Sequence, residues 1–527
     1  MTGFTKASSG GIVVVAHHLA IEGFASLAVA LSSANERQTH LLVLSNEDSD
    51  KAAGFGRLSG ECESYERRFR SGELDGFSRE MLYERYPSAP WGTVVAAERS
   101  FTDYSFLFGG TGHRRERGDY IVPLVLRLVA FFDAEYDRYQ PELVITAFGD
   151  NIFTLIATIV AEERGIRILL PQPAYLNEGG APEAGYFGNS RYLESYAMIR
   201  HYLELRSRPL TEEERTRARV FAEALIAYDG NATLAHIYKK KDFEKPVTPQ
   251  RNRLQAYLRE QHRLDPAVAF YKIDLTRKAI ANVIRLIRHR WVARFLERQT
   301  KSLPPRTVFY PMHFQPEAST LVNGIWYANQ IALIEKLSMA LPLGYTLVVK
   351  EHPRGRGVRP PWQYEHLASL HNVQFCDLPS KQILRHSEMV VSISGSIGLE
   401  ATAMKKPVLM FGRTFHSFNS LYYRAGAPEA LPEMFHRILI ERDFYRNETL
   451  EEDIYRFLLA YIAPMYGYFP VGKQMAELTP LILYELEQPL QPSRSWLATL
   501  FPERTGYYEG DDVSVPPINF SNGRVAQ

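Results

Sequence analysis

A chain of 527 residues, 45% hydrophobic and 12% aromatic, has material for about two to four domains and is not a disordered polymer. Lys and Arg number 61 against 60 Asp and Glu, so no global field favours nucleic acid as a partner. Two cysteines without metal-ligand spacing, no secretory signal and no run of about 18 apolar residues lead us to expect a cytoplasmic protein of a reducing compartment.

Gly11–Ala16 (GIVVVA) is predicted as a strand, followed by His17, His18 and a helix through Ala30, then a strand at Thr39–Leu44. The stretch from Ser45 to Arg79 has little β pattern and reads as surface helices and loops. A helix is expected over Tyr120–Tyr136, with Pro123 tolerated in its first turn. A buried strand at Glu142–Phe148 then ends in Gly149, Asp150 and Asn151, followed by a helix to Arg164 and a strand at Ile166–Leu170. Asp150 is a candidate general base, with an equal reading as the cap of that helix. His17, His18 and Glu22 lie toward the same expected cleft.

Residues 191 to 300 read as helical and charged. Over Arg277–Lys301, Ile280, Val283, Ile284, Ile287, Trp291 and Phe295 fall at helical spacing, with Arg285, Arg288, Arg290, Arg294 and Arg298 among the other positions. The pattern suits an anionic membrane surface or, more blandly, a helix laid on a core. Pro304 and Pro305 mark a boundary, and a second α/β unit starts at Thr307–Tyr310. The expected organisation is α/β, with a doubly wound domain at 1–190, a helical segment at 191–303 and a second α/β domain at 304–450. Helices at 451–487 and an irregular tail at 488–527 complete it.

Apolar runs at Thr346–Val349, Met389–Ile393 and Val408–Phe411 read as parallel strands buried on both faces. Ligands of such sheets sit at the carboxyl ends of the strands. After the first run comes KEHPRGRG, in which Lys350, His352, Arg354 and Arg356 can neutralise a phosphate and His352 can donate a hydrogen bond or proton. Its bland reading is a solvated basic loop. After the second comes SGSIGLEA, where Ser394, Gly395 and Ser396 allow close backbone approach at a helix start and Glu400 can accept from ribose. The structural reading there is a tight turn with Ser394 as a cap. In HFQPEAST, Gln315 and Glu317 are candidate sugar or base contacts, and Ser319–Thr320 a candidate cap. Lys406–Pro407 reads as structural, and His416, Asn419 and Ser420 occupy a loop beyond the last run. No HExxH, GxSxG or P-loop pattern occurs.

HFQPEAST, LPLGYTLVVKEHP and SISGSIGLEATAMKKPVLMFG, in that order over His313 to Gly412, resemble the capsule polysaccharide biosynthesis family, bacterial glycosyltransferases that include Kdo transferases. Ala147–Pro171 is a fainter echo. The resemblance implies a GT-B-like architecture of two Rossmann-like domains facing a cleft and a metal-independent glycosyltransferase without a cofactor. A nucleotide sugar, CMP-sugar favoured, is the implied donor, and a glycan or glycolipid the acceptor. It also implies that His352, Pro353, Ser394 and Ser396 bind the nucleotide phosphate, with Glu400 on the ribose. The chain departs from the family at PQPAYLN, where acidic residues and glycine are usual, with Glu178 and Gly179 slightly later. The catalytic carboxylate is therefore left open between Asp150 and Glu178, with His17 a further substrate contact. Contact with the inner face of the cytoplasmic membrane through 277–301 follows if the acceptor is lipid-linked. The alternatives are a UDP-sugar transferase, a sugar-nucleotide 2-epimerase, a polyol-phosphate transferase or a catalytically silent scaffold.

Overall fold

The Val-rich run near the start of the chain and its counterpart after residue 306 each form the middle of a sheet. The structure, a computed structural model, describes residues 10–17, 20–97, 117–149, 151–176, 184–228, 275–300, 302–424 and 427–488. Asp150, Glu178, Gly179, His18 and the tail beyond Gln488 lie outside them.

The first sheet comprises β1 (Gly11–Ala16), β2 (Thr39–Val43), β3 (Cys62–Ser64), β4 (Pro141–Thr146), β5 (Arg167–Pro173) and β6 (Gly185–Gly188), ordered β3-β2-β1-β4-β5-β6. Only β6 is antiparallel, paired to β5. The second comprises β7 (Thr307–Pro311), β8 (Thr346–Lys350), β9 (Val373–Phe375), β10 (Met389–Ser392), β11 (Val408–Met410) and β12 (Tyr422–Tyr423), all pairs parallel and ordered β12-β11-β10-β7-β8-β9. Each half is thus a Rossmann-like domain whose strand order reverses once, between β1 and β4 in the first and between β7 and β10 in the second. Together they make the expected GT-B-like arrangement.

Burial explains why these short runs are strands. Val13, Val14, Val15, Val348, Val349, Val390 and Val391 are fully buried, as strands covered by helices on both faces must be. Each such side chain contributes roughly 1.5–3 kcal/mol relative to exposure. Covering helices include α1 (Ile21–Ala34), α2 (Arg117–Tyr139) and α3 (Ile152–Glu163) on the first sheet. The described part of the helical middle consists of α4 (Tyr196–Arg206), α5 (Glu212–Ala227) and α6 (Leu275–Gln299). The second sheet carries α7 (Gln330–Ala340), α8 (Pro361–Ala368), α9 (Ser380–His386) and α10 (Ile397–Ala403). The chain ends in α11 (Leu450–Ile462) and α12 (Thr479–Glu487).

α4, α5 and α11 share one apolar cluster with Tyr186 of the first half and Phe309 and Leu399 of the second. The carboxyl edges of the sheets face each other. Ala318 and Val322, which follow β7, are buried in the cluster of Val94, Ile152 and Phe153 at the end of β4.

Four local expectations are corrected. β3 lies inside the stretch expected to be helices and loops; as a three-residue edge strand it is too short to show alternation. Pro123 lies inside α2 rather than in its first turn, because the helix starts three residues before the expected Tyr120. Asn151, not Asp150, caps α3, its side chain accepting from Thr154 N at 3.1 Å. The stripe of α6 is divided. Val292, Phe295 and Leu296 enter the core around Tyr310, whereas Ile280, Val283 and Ile287 are half or more exposed.

Candidate functional site

At the reversal of the second sheet, β7 delivers His313 and β10 delivers the Ser392–Ser396 turn, with β8 alongside delivering Lys350 to Arg356. His313 joins them. Its Nε2 accepts from Ile393 N at 3.2 Å and lies 3.4 Å from Ser392 Oγ. The ring therefore carries its proton on Nδ1, and burial first, then the neighbouring His352 ring and the Arg359 guanidinium, pushes its pKa down to about 3. Ser392 Oγ also accepts from Gly395 N at 3.0 Å. A Cβ on Gly395 would stand 3.1 Å from both His313 and Ser392, so close approach is the reason for glycine there. Ser394 does not cap α10 as expected; its hydroxyl donates to Ser319 O at 2.6 Å, tying this turn to the loop after β7. Ser396, half-buried, is the residue at the helix start.

The loop after β8 is built around Glu351, fully buried. Its carboxylate accepts from Arg359 at 2.7 and 2.8 Å, from Tyr364 Oη at 2.6 Å and from His352 N at 2.8 Å. Arg359 also donates to His313 O at 3.0 Å, so one buried pair holds both histidine-bearing loops. Pro353 opens a single tight turn in which His352 Nδ1 accepts from Arg354 N at 3.2 Å. That leaves the imidazole proton on Nε2. Burial, with Arg354, Arg359 and Lys350 nearby, lowers its pKa to about 4 although Glu351 pulls the other way. His352 is thus a neutral hydrogen-bond donor at pH 7.

Cations surround it. Lys350 donates to Leu378 O at 2.6 Å and lies 3.8 Å from Asp377, while Arg356 pairs with Asp377 at 2.5 Å. Burial lowers the Lys350 pKa. Arg354 lies over the Phe314 ring, 4.8 Å from its centre, and 3.5 Å from Glu317. Sequence spacing did not reveal that α6 belongs here. Arg285 is lowered by burial and by Arg354, and His289 by burial and by Arg356 and Arg285. Gly357, at φ +83°, allows the approach: a Cβ would stand 2.5 Å from Arg285 O. Arg288 donates to Val358 O at 3.1 Å, and Ala281 packs with Phe314 and Val358.

Other candidates have hydrogen-bond partners within the fold. Gln315 is buried, donating to Ala328 O and accepting from Gln330 at 3.0 Å. Ser319 and Thr320 lie within the short helix Ala318–Leu321 rather than capping it. Lys406 donates to Ser387 O at 2.6 Å, as a structural residue does. Asn419 Oδ1 closes its own loop, accepting from Leu421 N at 2.9 Å, and Ser420 Oγ meets Tyr202 Oη at 3.0 Å. His416 is buried against Tyr422. Glu400 is buried and engaged, accepting from Tyr175 Oη at 2.7 Å and pairing with Lys381 at 2.8 Å. Tyr175 belongs to the PQPAYLN departure, so that stretch reaches across to the second half.

At the reversal of the first sheet the arrangement is parallel. Asn151 Nδ2 lies 2.8 Å from His17 Nε2. Because Asn151 Oδ1 caps α3, its amide faces His17 as donor, and His17 carries its proton on Nδ1. Glu22 is exposed in the first turn of α1, beside Gly472.

Residues 238–434 match the family profile described as capsule polysaccharide biosynthesis protein. No curated protein matches the chain. Similar solved structures include the UDP-GlcNAc 2-epimerase of Methanocaldococcus jannaschii, 11% identical, covering 90% of this chain and 99% of that one at a TM-score of 0.23. Thermosulfurimonas dismutans KpsC, a beta Kdo 2,7 transferase, is 12% identical over 67% of this chain and 89% of its own, at a TM-score of 0.29. At such scores the fold is argued from the sheets themselves, and the family from the sequence match. Over residues 238–434 the chain is similar to the capsule polysaccharide biosynthesis family.

Proposed function

We propose that the protein is a glycosyltransferase of surface-polysaccharide synthesis, taking its sugar from a nucleotide sugar, a CMP-sugar first among them, and passing it to a glycan or glycolipid. The observation that carries this reading is the convergence of His352, Lys350, Arg354, Arg356 and Arg285 with the Ser392–Ser396 turn at one reversal point of a Rossmann-like sheet. Charge builds on the departing phosphate in the transition state, and preorganised cations and donors stabilise it there more than in the ground state. Basic side chains take the part a metal plays elsewhere. His352 donates a hydrogen bond through Nε2 to the departing phosphate, which leaves as an anion held by these cations. In the first domain, His17 and Asn151 orient the acceptor, and Asp150 and Glu178 are the candidate bases. Glu400 reaches a ribose once it gives up Tyr175. The exposed half of α6, with Ile280, Val283 and Ile287, meets the membrane that carries a lipid-linked acceptor.

Thermal shifts with CMP, CDP, UMP, UDP, GDP and ADP test this on the wild type and His352→Ala. A ligand at a hundred times its Kd adds about 2.7 kcal/mol of stability. CMP alone is expected to raise Tm, and the substitution to abolish the rise. UDP selectivity moves the reading to a UDP-sugar transferase or 2-epimerase, and CDP selectivity to a polyol-phosphate transferase. If no nucleotide shifts Tm, the protein is a silent scaffold.

A further inference from the structure

Away from the charged cleft, α7 and α8 leave an open groove of about 340 Å³ between them. Both helices begin at the carboxyl edge of the second sheet, α7 after the loop from β7 and α8 after the loop from β8 that carries His352. The groove lies between their first two turns.

Its lining has the composition of a carbohydrate subsite. Trp362 presents an indole that is 60% exposed, a large apolar plate that folding alone does not call for. Polar side chains ring it. Asn329 Oδ1 caps α7, accepting from Ala332 N at 3.2 Å, which holds its amide nitrogen in one direction. His366 Nε2 meets Glu335 Oε1, linking the two helices across the groove. Gln363 also lines the groove; its Oε1 is turned inward, out of contact with solvent, which leaves Nε2 as the group that can donate to a ligand. A pyranose meets all of these at once. Its axial C–H bonds form an apolar face that lies on an indole, and its equatorial hydroxyls accept from amide nitrogens such as those of Asn329 and Gln363. The volume is within the range of about 300–1,000 Å³ usual for small-molecule sites.

We propose that this groove is a second, non-catalytic glycan site, stacking one neutral pyranose unit of an oligosaccharide on Trp362 and hydrogen bonding it through Gln363. The site exists whatever the donor, and it remains if the transferase reading fails.

Cellotetraose and chitotetraose, titrated separately onto the full chain and followed by saturation-transfer NMR, are the test. Either is expected to bind with its pyranose C–H protons saturated most strongly. Trp362→Ala should weaken binding at least ~10-fold, a loss of about 1.4 kcal/mol, Gln363→Ala should weaken it several-fold, and Trp362→Phe should retain most of it. Trp362 is exposed, so these variants should melt as the wild type does and keep its nucleotide-induced thermal shift. Preference between the two sugars decides between a hexose and an N-acetylhexosamine unit. Binding that survives Trp362→Ala unchanged, or no saturation transfer to either sugar at millimolar concentration, overturns the proposal.

Discussion

Glu351 is the residue on which both charged loops depend, since a single carboxylate accepts from Arg359, Tyr364 and the backbone of His352. Removing one partner of a buried pair leaves the other charge uncompensated, at about 3–5 kcal/mol. Glu351→Ala is therefore expected to lower the unfolding free energy by about that amount in urea titrations, and to abolish any nucleotide-induced thermal shift. A loss under about 1 kcal/mol would show that Arg359 finds other partners. The buried imidazoles give a pH dependence. His313 and His416, at about 3, and His352, at about 4, lie below the ordinary 6.5 because burial disfavours their charged forms. Between those values the unfolded chain binds protons that the folded chain refuses. Their contribution is complete above pH 6.5 and is lost as the pH falls through 6.5 toward 4 and then 3. The urea midpoint should fall from about pH 6.5 to about 5, above the range where most carboxylates titrate, and His313→Gln should flatten that slope. An unchanged slope would mean that other groups carry it. The sequence singled out His352 by its neighbours but passed over His313, whose importance comes from Ile393, eighty residues away.

α6 illustrates the element scale. Its periodicity announced an apolar stripe but not how much of it the fold would cover. Phe295 is buried with Tyr310 and Leu347, whereas Ile287 is 62% exposed. Phe295→Ala is expected to cost about 3–5 kcal/mol in chemical denaturation. The triple change Ile280→Ser, Val283→Ser and Ile287→Ser should cost little stability but abolish flotation with anionic liposomes. If the wild type does not float, the membrane part of the proposed function is wrong. Arg285 was read from the sequence as one of the polar positions of this helix. The approach allowed by Gly357 makes it a neighbour of Arg354 instead, which no helical wheel shows.

Across the whole molecule, the halves are joined by buried polar links as well as by apolar contact. Arg413 meets Glu194 at 2.7 and 3.0 Å and lies over the Tyr192 ring, while β6 exchanges hydrogen bonds between Gly185 and Tyr466 at 3.0 Å. Glu194→Ala leaves Arg413 without its carboxylate in a largely buried place. It is expected to lower stability by about 3 kcal/mol, read as a fall in the urea midpoint. A midpoint within error of wild type would show that apolar packing alone holds the halves together. The contact of Tyr175 with Glu400 belongs to the same scale, for it links the stretch after β5 to α10.

Runs such as GIVVVA and TLVVK are apolar enough to be strands in the middle of a sheet, and the polar residues after them mark where a ligand meets that sheet. From those facts the sequence alone determined two α/β halves and the loops around His352 and Ser394. These are short-range properties, carried by side chains within one strand and its following turn. Tertiary structure decided which charges share a site, which half of α6 is covered, that Asn151 and not Asp150 caps α3, and that Glu400 is already engaged. The physical reason is that burial and charge pairing depend on which faces the crossover helices bring together, and those distances are not written in the spacing of any one segment.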